Sequence, residues 1–164
     1  MELKAYSKLI IIGLLFCLFG DIILLVNSYF LYGLVAFLLG HFCFLFAFVN
    51  HEGFHWPLKP GFFLGGFAFL LIYLCYPKLN NLLIPVLIYI GVILLMSWQG
   101  ISMQQRKQHS NFQFIGWAAG LFLFSDALIA LNKFFISFKW SNILILITYW
   151  ISISLFATSA IKRK

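Results

Sequence analysis

Residues 120–133 read GLFLFSDALIALNK, an apolar helical pattern that contains one acid, Asp126. The chain has only four acidic residues, and both of its aspartates, Asp21 and Asp126, lie inside apolar runs. A charged side chain at the centre of a membrane helix costs about 2.5–3.5 kcal/mol on insertion scales, so such residues usually have a function. Helix packing through a hydrogen bond is the alternative use of these two carboxyls.

The composition is that of a protein embedded in a lipid bilayer. Of the 164 residues, 63% are hydrophobic and 9% are charged, whereas about a quarter are charged in soluble domains. The net charge of +7 does not indicate nucleic-acid binding, because the basic residues lie between apolar runs and at the chain ends. We expect a multi-pass integral membrane protein with a single domain over residues 1–164, located in the cytoplasmic (inner) membrane of a bacterium.

Six apolar segments approach the roughly 20 residues that a helix needs to cross a bilayer. They lie near residues 8–26, 30–49, 60–76, 82–99, 113–131 and 141–161. Lipid satisfies no open sheet edge, and no segment alternates like a barrel strand, so the predicted fold is an all-α, polytopic transmembrane helix bundle. We interpret the first segment as an uncleaved span, since it is long for a signal peptide and no small-x-small site follows it.

The basic residues predict the orientation of the bundle. One side collects Lys4, Lys8, Lys59, Arg106, Lys107, Lys162, Arg163 and Lys164. The other side has Lys78, Lys133 and Lys139. This asymmetry predicts that both termini are cytoplasmic, by the positive-inside rule.

The orientation also places four polar side chains in the outer half of the membrane. Asp21 and Asp126 each lie five residues before the outer end of a predicted helix, about 8 Å deep at 1.5 Å per residue. Tyr89 and Tyr149 lie about 11 Å deep on the same rise. Residues 18–21 read LFGD and residues 123–126 read LFSD, a weak internal repeat that supports pairing the acids. Coincidence in a Leu- and Phe-rich chain is the alternative.

Two further polar residues have open interpretations. His41 lies in the middle of the second span, where it is either a neutral histidine bonded to a neighbouring helix or a proton relay or ligand. Lys133 lies two turns outward from Asp126 on the same helix face. It either pairs with a lipid phosphate or extends its ammonium to water. Gly116 and Gly120 form a GxxxG pattern, which in membrane helices permits close helix approach.

Residues 51–55 read HEGFH, a literal H-E-x-x-H motif. On a helix this spacing places two imidazoles on one face to hold zinc. Gly53 and the nearby Pro57 argue against a helix here, so a polar loop is the favoured interpretation and we predict no metal site. Each cysteine lies inside an apolar run, which favours small buried core residues over a disulfide or a redox site.

These motifs together resemble the YhhN-type lysoplasmalogenase family of multispanning membrane proteins. The resemblance extends through most of the chain and is carried by Gly20-Asp21, Gly33, Gly40-His41, Pro85, Tyr89, Met96, Gly120, Phe124-Ser125-Asp126, Ala130, Asn132-Lys133-Phe134 and Tyr149-Trp150. Ser125-Asp126 is the most specific of these motifs. The chain departs from the family at Phe44, where a tyrosine is expected, and at Ile153, where a glutamine is expected. The family has eight helices, so this chain would lack the two that precede Gly20-Asp21.

The resemblance implies hydrolysis of the vinyl ether bond of lysoplasmalogens, which are single-chain ether phospholipids, to a fatty aldehyde and a glycerophospho-headgroup. Such a bond is hydrolysed by protonation of carbon, followed by capture of an oxocarbenium ion by water. Asp21 and Asp126 are the candidate acid and base, as two carboxyls are in glycosidases. Burial in hydrocarbon favours the protonated form of a carboxyl. No metal or cofactor is needed.

Six further residues are candidates for substrate binding or for support of the two acids. They are Ser125, Tyr89, Tyr149, His41, Asn132 and Lys133. The main alternative function is a proton- or cation-coupled transporter, because intramembrane acids at a repeat interface are equally its signature. A membrane metalloprotease that uses His51, Glu52 and His55 is a third possibility.

Overall fold

The computed structural model describes residues 2–106 and 112–161, and every regular element in these ranges is helical. Six α-helices follow one another: α1 (Glu2–Leu24), α2 (Phe30–Glu52), α3 (Leu58–Leu79), α4 (Leu83–Arg106), α5 (Ile115–Phe134) and α6 (Ser141–Ala160). Short 3₁₀ turns link α1 to α2 at Asn27–Tyr29 and α3 to α4 at Asn80–Leu82. The predicted all-α fold is confirmed, and each predicted segment lies largely within its own helix.

The helix ends differ from those predicted from apolar runs. α1 begins at Glu2, six residues before the predicted start, and α4 continues to Arg106 instead of stopping at 99. Backbone hydrogen bonds hold a helix together whether its side chains are apolar or charged, so a helix can continue beyond the apolar run that crosses lipid. An apolar run therefore predicts where the helix is and not where it ends.

Five helical segments of the described chain are long and apolar enough to cross a membrane. Six were predicted, and the difference lies in Leu58–Arg106, a helical stretch of 49 residues. The 3₁₀ turn at Asn80–Leu82 joins α3 to α4 within this stretch without a non-helical residue. Asn80 has a φ of 43°, and α3 packs against α4, so the chain reverses direction at this turn.

Five helices form a closed ring, and α3 lies outside it. α1 packs on α2, α2 on α4, α4 on α5, α5 on α6, and α6 on α1. α3 packs on α4 and α5 but has no Cα atom within 8 Å of α2 in the described residues. The centre of the ring is filled by phenylalanines, of which Phe44, Phe122 and Phe156 are completely buried. Phe44 and Phe156 stack with ring centroids 4.4 Å apart.

Small residues permit the closest helix contacts. A Cβ added to Gly40 of α2 would lie 3.1 Å from the carbonyl oxygen of Gly13 in α1. A Cβ added to Gly116 of α5 would lie 2.9 Å from the Cα of Ile101 in α4, whereas one added to Gly120 would meet open space. Only the first glycine of the GxxxG pattern therefore brings two helices together.

The two ends of the described chain lie at the same end of the bundle. Tyr6 near the start of α1 shares a hydrogen bond of 2.9 Å with Ser159 near the end of α6. Ser7 donates a second bond of 2.8 Å to the carbonyl oxygen of Ala160. Four of the basic residues that predict a cytoplasmic location for the termini lie outside the described residues: Lys107, Lys162, Arg163 and Lys164.

Candidate active site

Asp126 lies in the interior of the helix bundle and faces a small apolar cavity. Its side chain is 11% exposed, and its Oδ2 accepts a hydrogen bond from the hydroxyl of Tyr89 in α4. The cavity has a volume of about 50 Å³ and is lined by residues of all the helices except α6. Apart from Tyr89 and Asp126 these residues are apolar or aromatic, and they include Phe37, Phe67, Leu123 and Phe134. A carboxyl in such surroundings has few partners that would stabilise its charge.

Close packing of α4 on α5 brings Tyr89 to Asp126. The hydroxyl of Ser97 in α4 donates to the carbonyl oxygen of Ala119 in α5 at 3.2 Å. One turn further along α4, a Cβ added to Gly100 would lie 2.9 Å from the Cβ of Ala119. A hydroxyl bond and small residues are the usual means by which membrane helices associate. These contacts fix the register that places Tyr89 opposite Asp126.

Asp21 is hydrogen-bonded to a different tyrosine from Asp126 and lines a different recess. The hydroxyl of Tyr149 in α6 donates a hydrogen bond of 2.8 Å to Asp21 Oδ2 in α1. Both side chains line a groove of about 300 Å³ between α1 and α6, with Cys17 and Ile153 among its other walls. This groove is separate from the cavity of Asp126, so the two acids do not face each other across one space.

An aromatic layer lies between the two recesses. Phe122 contacts the Tyr149 ring, with centroids 5.4 Å apart, and the His41 ring, with centroids 4.7 Å apart. Phe37 contacts both Phe122 and Tyr149 and also lines the cavity of Asp126. Gly20 leaves room for the Phe37 ring, since an added Cβ would lie 2.7 Å from it.

The two acids lie at different distances from the ends of their helices. Asp21 lies three residues before the end of α1 and Asp126 lies eight before the end of α5. At 1.5 Å per residue these positions are about 5 Å and about 12 Å from their helix ends. The predicted distance of about 8 Å from each acid to the outer end of its helix was wrong, because α1 ends earlier and α5 ends later than the apolar runs indicate.

His41 lies next to Asp126, the residue to which Tyr89 donates its hydrogen bond. It is completely buried, and its Nε2 lies 3.8 Å from Asp126 Oδ2. Its ring meets the Tyr89 ring edge to face, with centroids 5.2 Å apart. The structure thus brings His41, Tyr89 and Asp126 together.

Ser125 faces away from the cavity. Its side chain is completely buried, and its hydroxyl donates to the carbonyl oxygen of Ile145 in α6 at 3.1 Å. Ser152 of α6 donates in the opposite direction, to the carbonyl oxygen of Ala118, at 2.7 Å. Ser125 therefore joins α5 to α6, although it is adjacent to Asp126 in sequence.

The remaining predicted residues lie near the C-terminal end of α5. Lys133 places its ammonium 4.1 Å from the centroid of the Phe30 ring, and Phe30 lines the cavity of Asp126. Asn132 is half-buried in the last turn of α5 and is not part of the cavity lining. Neither residue lines the cavity itself, and Lys133 is next to it only through its contact with Phe30.

The H-E-x-x-H segment does not have the geometry of a helical zinc site. α2 ends at Glu52, and Gly53 follows with a φ of 81°. Gln99 of α4 bonds both backbone groups of His55, accepting from its N–H at 3.0 Å and donating to its carbonyl oxygen at 2.8 Å. His55 Nε2 contacts the Glu52 carbonyl oxygen and Arg106. Among residues 2–106 and 112–161, no three His, Cys, Asp or Glu side chains group closely enough to hold a metal ion.

Sequence reasoning did not identify the residues that separate the two acids. Phe37 and Phe122 are two of 21 phenylalanines, and nothing in the sequence distinguishes them from the rest of the core. The one available signal is Gly20, whose missing side chain leaves room for Phe37. A glycine next to an intramembrane acid indicates close packing, but it does not identify the partner.

The family model that matches this sequence covers nearly all of it. It is described as the YhhN family and matches residues 1–160. The chain belongs to the YhhN family. Curated relatives include the lysoplasmalogenase TMEM86A of Homo sapiens, 30% identical over 94% of this chain, and the lysoplasmalogenase TMEM86B of Rattus norvegicus, 29% identical over 87% of it.

These relatives are longer than this YhhN chain. It spans 66% of the human TMEM86A protein and 57% of the rat TMEM86B protein. The lysoplasmalogenase TMEM86B of Homo sapiens is 27% identical, and the match covers 65% of its length. No solved structure matches the chain significantly.

Proposed function

We propose that this protein hydrolyses the vinyl ether bond of lysoplasmalogens. Its curated relatives carry the name lysoplasmalogenase, which supports this proposal. The substrates would be alkenyl glycerophosphocholine and alkenyl glycerophosphoethanolamine, and the products a fatty aldehyde and the glycerophospho-headgroup. The observation that carries the proposal is Asp126, a carboxyl held by Tyr89 at the wall of an apolar cavity inside the membrane bundle.

Asp126 is the proposed proton donor. The apolar cavity favours its neutral form, and the Tyr89 hydroxyl occupies Oδ2. Oδ1 then holds the proton that is delivered to the alkenyl carbon next to the ether carbon. The oxocarbenium ion that forms is captured by water, which returns a proton to the Asp126 carboxylate. The resulting hemiacetal breaks into aldehyde and headgroup, so one carboxyl acts first as acid and then as base.

Asp21 is proposed to act from the other side of the aromatic layer. In a glycosidase both carboxyls flank one substrate, about 5–10 Å apart. Here Phe37 lies between the two recesses, in contact with Tyr149 and with the cavity of Asp126. We therefore assign to Asp21 the electrostatic stabilisation of the cation, which acts over a longer distance in a low dielectric than in water.

The lipid is proposed to enter sideways between α2 and α3. These helices have no close backbone approach in the described chain, yet both line the cavity, α2 with Phe30 and Leu34 and α3 with Phe67 and Leu71. A cavity of about 50 Å³ is too small for a fatty chain, so α3 must move outward to admit one. Lys133 beside Phe30 then contacts the lipid phosphate at the mouth.

The proposed topology has six membrane crossings, with both termini on the cytoplasmic side of a bacterial inner membrane. Packing of α3 on α4 supports two crossings within Leu58–Arg106. The bond between Tyr6 and Ser159 supports termini on the same side. The excess of basic residues near that side supports a cytoplasmic location. This topology places the Asp126 cavity nearer the outer surface.

The direct test is release of aldehyde from a lysoplasmalogen by the purified protein in detergent, with no ion gradient. We expect Asp126→Asn to abolish release and Asp21→Asn to reduce it strongly. Glu52→Gln is the matched control, since it makes the same change of acid to amide at the end of α2 and should keep full activity. Absence of aldehyde, together with gradient-driven uptake into vesicles that requires Asp126, would support a transporter instead.

A further inference from the structure

His41 is an unusual buried residue because neither of its ring nitrogens has a hydrogen-bond partner among the described residues. The side chain is completely buried between the Tyr89 and Phe122 rings. Each ring contact is edge to face, and neither ring supplies a partner to Nδ1 or Nε2. A buried polar group without a partner destabilises a fold, so its presence calls for a physical reason.

The position of His41 relative to Asp126 provides a physical reason for this unpaired buried side chain. Nε2 lies 3.8 Å from Asp126 Oδ2, beyond the 2.7–3.2 Å range of a hydrogen bond from nitrogen to oxygen. Oδ2 is also the oxygen that accepts the Tyr89 hydroxyl. At this separation His41 contributes little to the stability of a neutral carboxyl, whereas a carboxylate attracts a nearby N–H donor strongly. A movement of less than 1 Å would bring Nε2 within the range of a charge-assisted bond.

We propose that His41 is a positioning residue whose Nε2–H closes on Asp126 Oδ2 once the carboxyl has given up its proton. This inference rests on the proposed function. The proton leaves Oδ1 for the alkenyl carbon, the carboxylate gains the His41 bond beside that of Tyr89, and the bond opens when water returns a proton to Asp126. No proton passes to or from His41. An interaction that strengthens as the carboxylate forms lowers the barrier without tightening substrate binding.

His41 acts only through Asp126 in this scheme. The cavity lining includes Tyr89 and Asp126 but not His41, so substrate in the cavity meets the carboxyl and not the imidazole. The polar and aromatic groups recorded against His41 in the described residues include Tyr89, Phe122 and Asp126. Tyr89 donates to Asp126, and Asp126 is the one of the three that becomes an anion, so its carboxylate is the strongest acceptor for Nε2–H once the proton has left.

The kinetic test compares His41→Leu with His41→Gln. Leucine fills the site without a donor, and glutamine keeps an N–H at nearly the position of Nε2. We expect His41→Leu to lower kcat about 100-fold, the effect of removing one donor to a developing anion, with KM nearly unchanged. His41→Gln should recover most of that loss. The melting temperature of His41→Leu should equal or exceed that of the wild type, because two buried polar atoms without partners are removed.

The opposite results would overturn the assignment. A purely structural role predicts a lower melting temperature in His41→Leu and no recovery of kcat by glutamine. Full kcat in His41→Leu would equally exclude the proposed bond. If the wild type releases no aldehyde, the proposed function fails, and a spectroscopic test still decides the role of His41.

That spectroscopic test uses protein labelled with nitrogen-15 at histidine, with the His41 signals assigned by their loss in His41→Gln. Raising the pH until the infrared band of the protonated Asp126 carboxyl disappears should move the Nε2–H proton resonance downfield, as the bond to the carboxylate forms. Asp126→Asn should show no such movement. An unmoved resonance in the wild type would contradict the proposal whatever the activity.

Discussion

The Tyr149 hydroxyl donates a 2.8 Å hydrogen bond to Asp21, and on the far side of the Phe37–Phe122 layer the Tyr89 hydroxyl donates to Asp126 in the same way. Each intramembrane acid thus has a phenol from a neighbouring helix. The two pairs differ in their surroundings, because the Asp126 pair lines a cavity of about 50 Å³ and the Asp21 pair lines a groove of about 300 Å³.

This difference predicts unequal effects of removing the two hydroxyls. Tyr89→Phe removes the donor that stabilises the Asp126 carboxylate as it forms, so kcat for aldehyde release should fall about 100-fold. Tyr149→Phe changes only the more distant acid and should lower kcat much less. Steady-state kinetics on both purified variants check this. Equal losses in the two variants would contradict the assignment of Asp126 as the proton donor.

We expect Ser125 to stabilise the fold and to take no part in catalysis. Ser125→Ala removes one hydroxyl bond between α5 and α6, and such bonds in membrane proteins contribute about 0.6 kcal/mol on average. We expect a small loss in the free energy of unfolding and unchanged kcat. Ser152→Ala, which removes the reciprocal bond, is the matched control and should behave alike. A large fall in kcat for Ser125→Ala alone would instead show that this hydroxyl takes part in the reaction.

The two glycines of the GxxxG pattern should respond differently to alanine. Gly116→Ala places a methyl group 2.9 Å from the Cα of Ile101, and such overpacking typically costs about 1–3 kcal/mol. Gly120→Ala meets open space and should leave the melting temperature unchanged or slightly higher, since alanine favours a helix. Thermal unfolding in detergent measures both. Equal destabilisation would mean that another helix or subunit packs on Gly120.

Lys133 should affect substrates according to their headgroup. Lys133→Gln removes the cation next to Phe30, which is proposed to bind the lipid phosphate. KM for alkenyl glycerophosphoethanolamine should therefore rise about fivefold, the effect of about 1 kcal/mol for an exposed ion pair. KM for an alkenylglycerol without phosphate should not change. Lys139→Gln is the control, because Lys139 lies near Trp140 and not at the cavity. Equal effects on both substrates would remove Lys133 from phosphate binding.

The helices and the two acids could be predicted from the sequence, because apolar runs and buried charges are visible in a single chain. Apolar runs predicted all six helices, and the cost of a buried carboxyl singled out Asp21 and Asp126. The lateral arrangement was not accessible, because a Leu- and Phe-rich helix offers similar side chains on every face. Ser125 illustrates the limit, since proximity to Asp126 in sequence did not place its hydroxyl in the same cavity. Turn chemistry at Gly53 was readable, and the loss of helix there was correctly predicted.

The separation of the two acids into different recesses could not be predicted from the sequence either. Phe37 and Phe122 divide the recesses because of how α2 and α5 rotate about their axes, which depends on contacts with α1, α4 and α6 together. A rotation of this kind leaves no periodic signal in one sequence. The sequence therefore predicted only the position of each acid along its helix, and the distances to the helix ends differ from the predicted ones because α1 and α5 end at other residues.

Hydrolysis in heavy water tests most directly that Asp126 delivers a proton to carbon. With the wild type, the aldehyde should carry one deuterium on the carbon next to the carbonyl group, and kcat should fall because proton transfer to carbon limits the rate. Asp126→Asn should release no aldehyde, while Glu52→Gln matches the wild type. Aldehyde formed by Asp126→Asn at the wild-type rate, with the same deuterium content, would contradict the assignment.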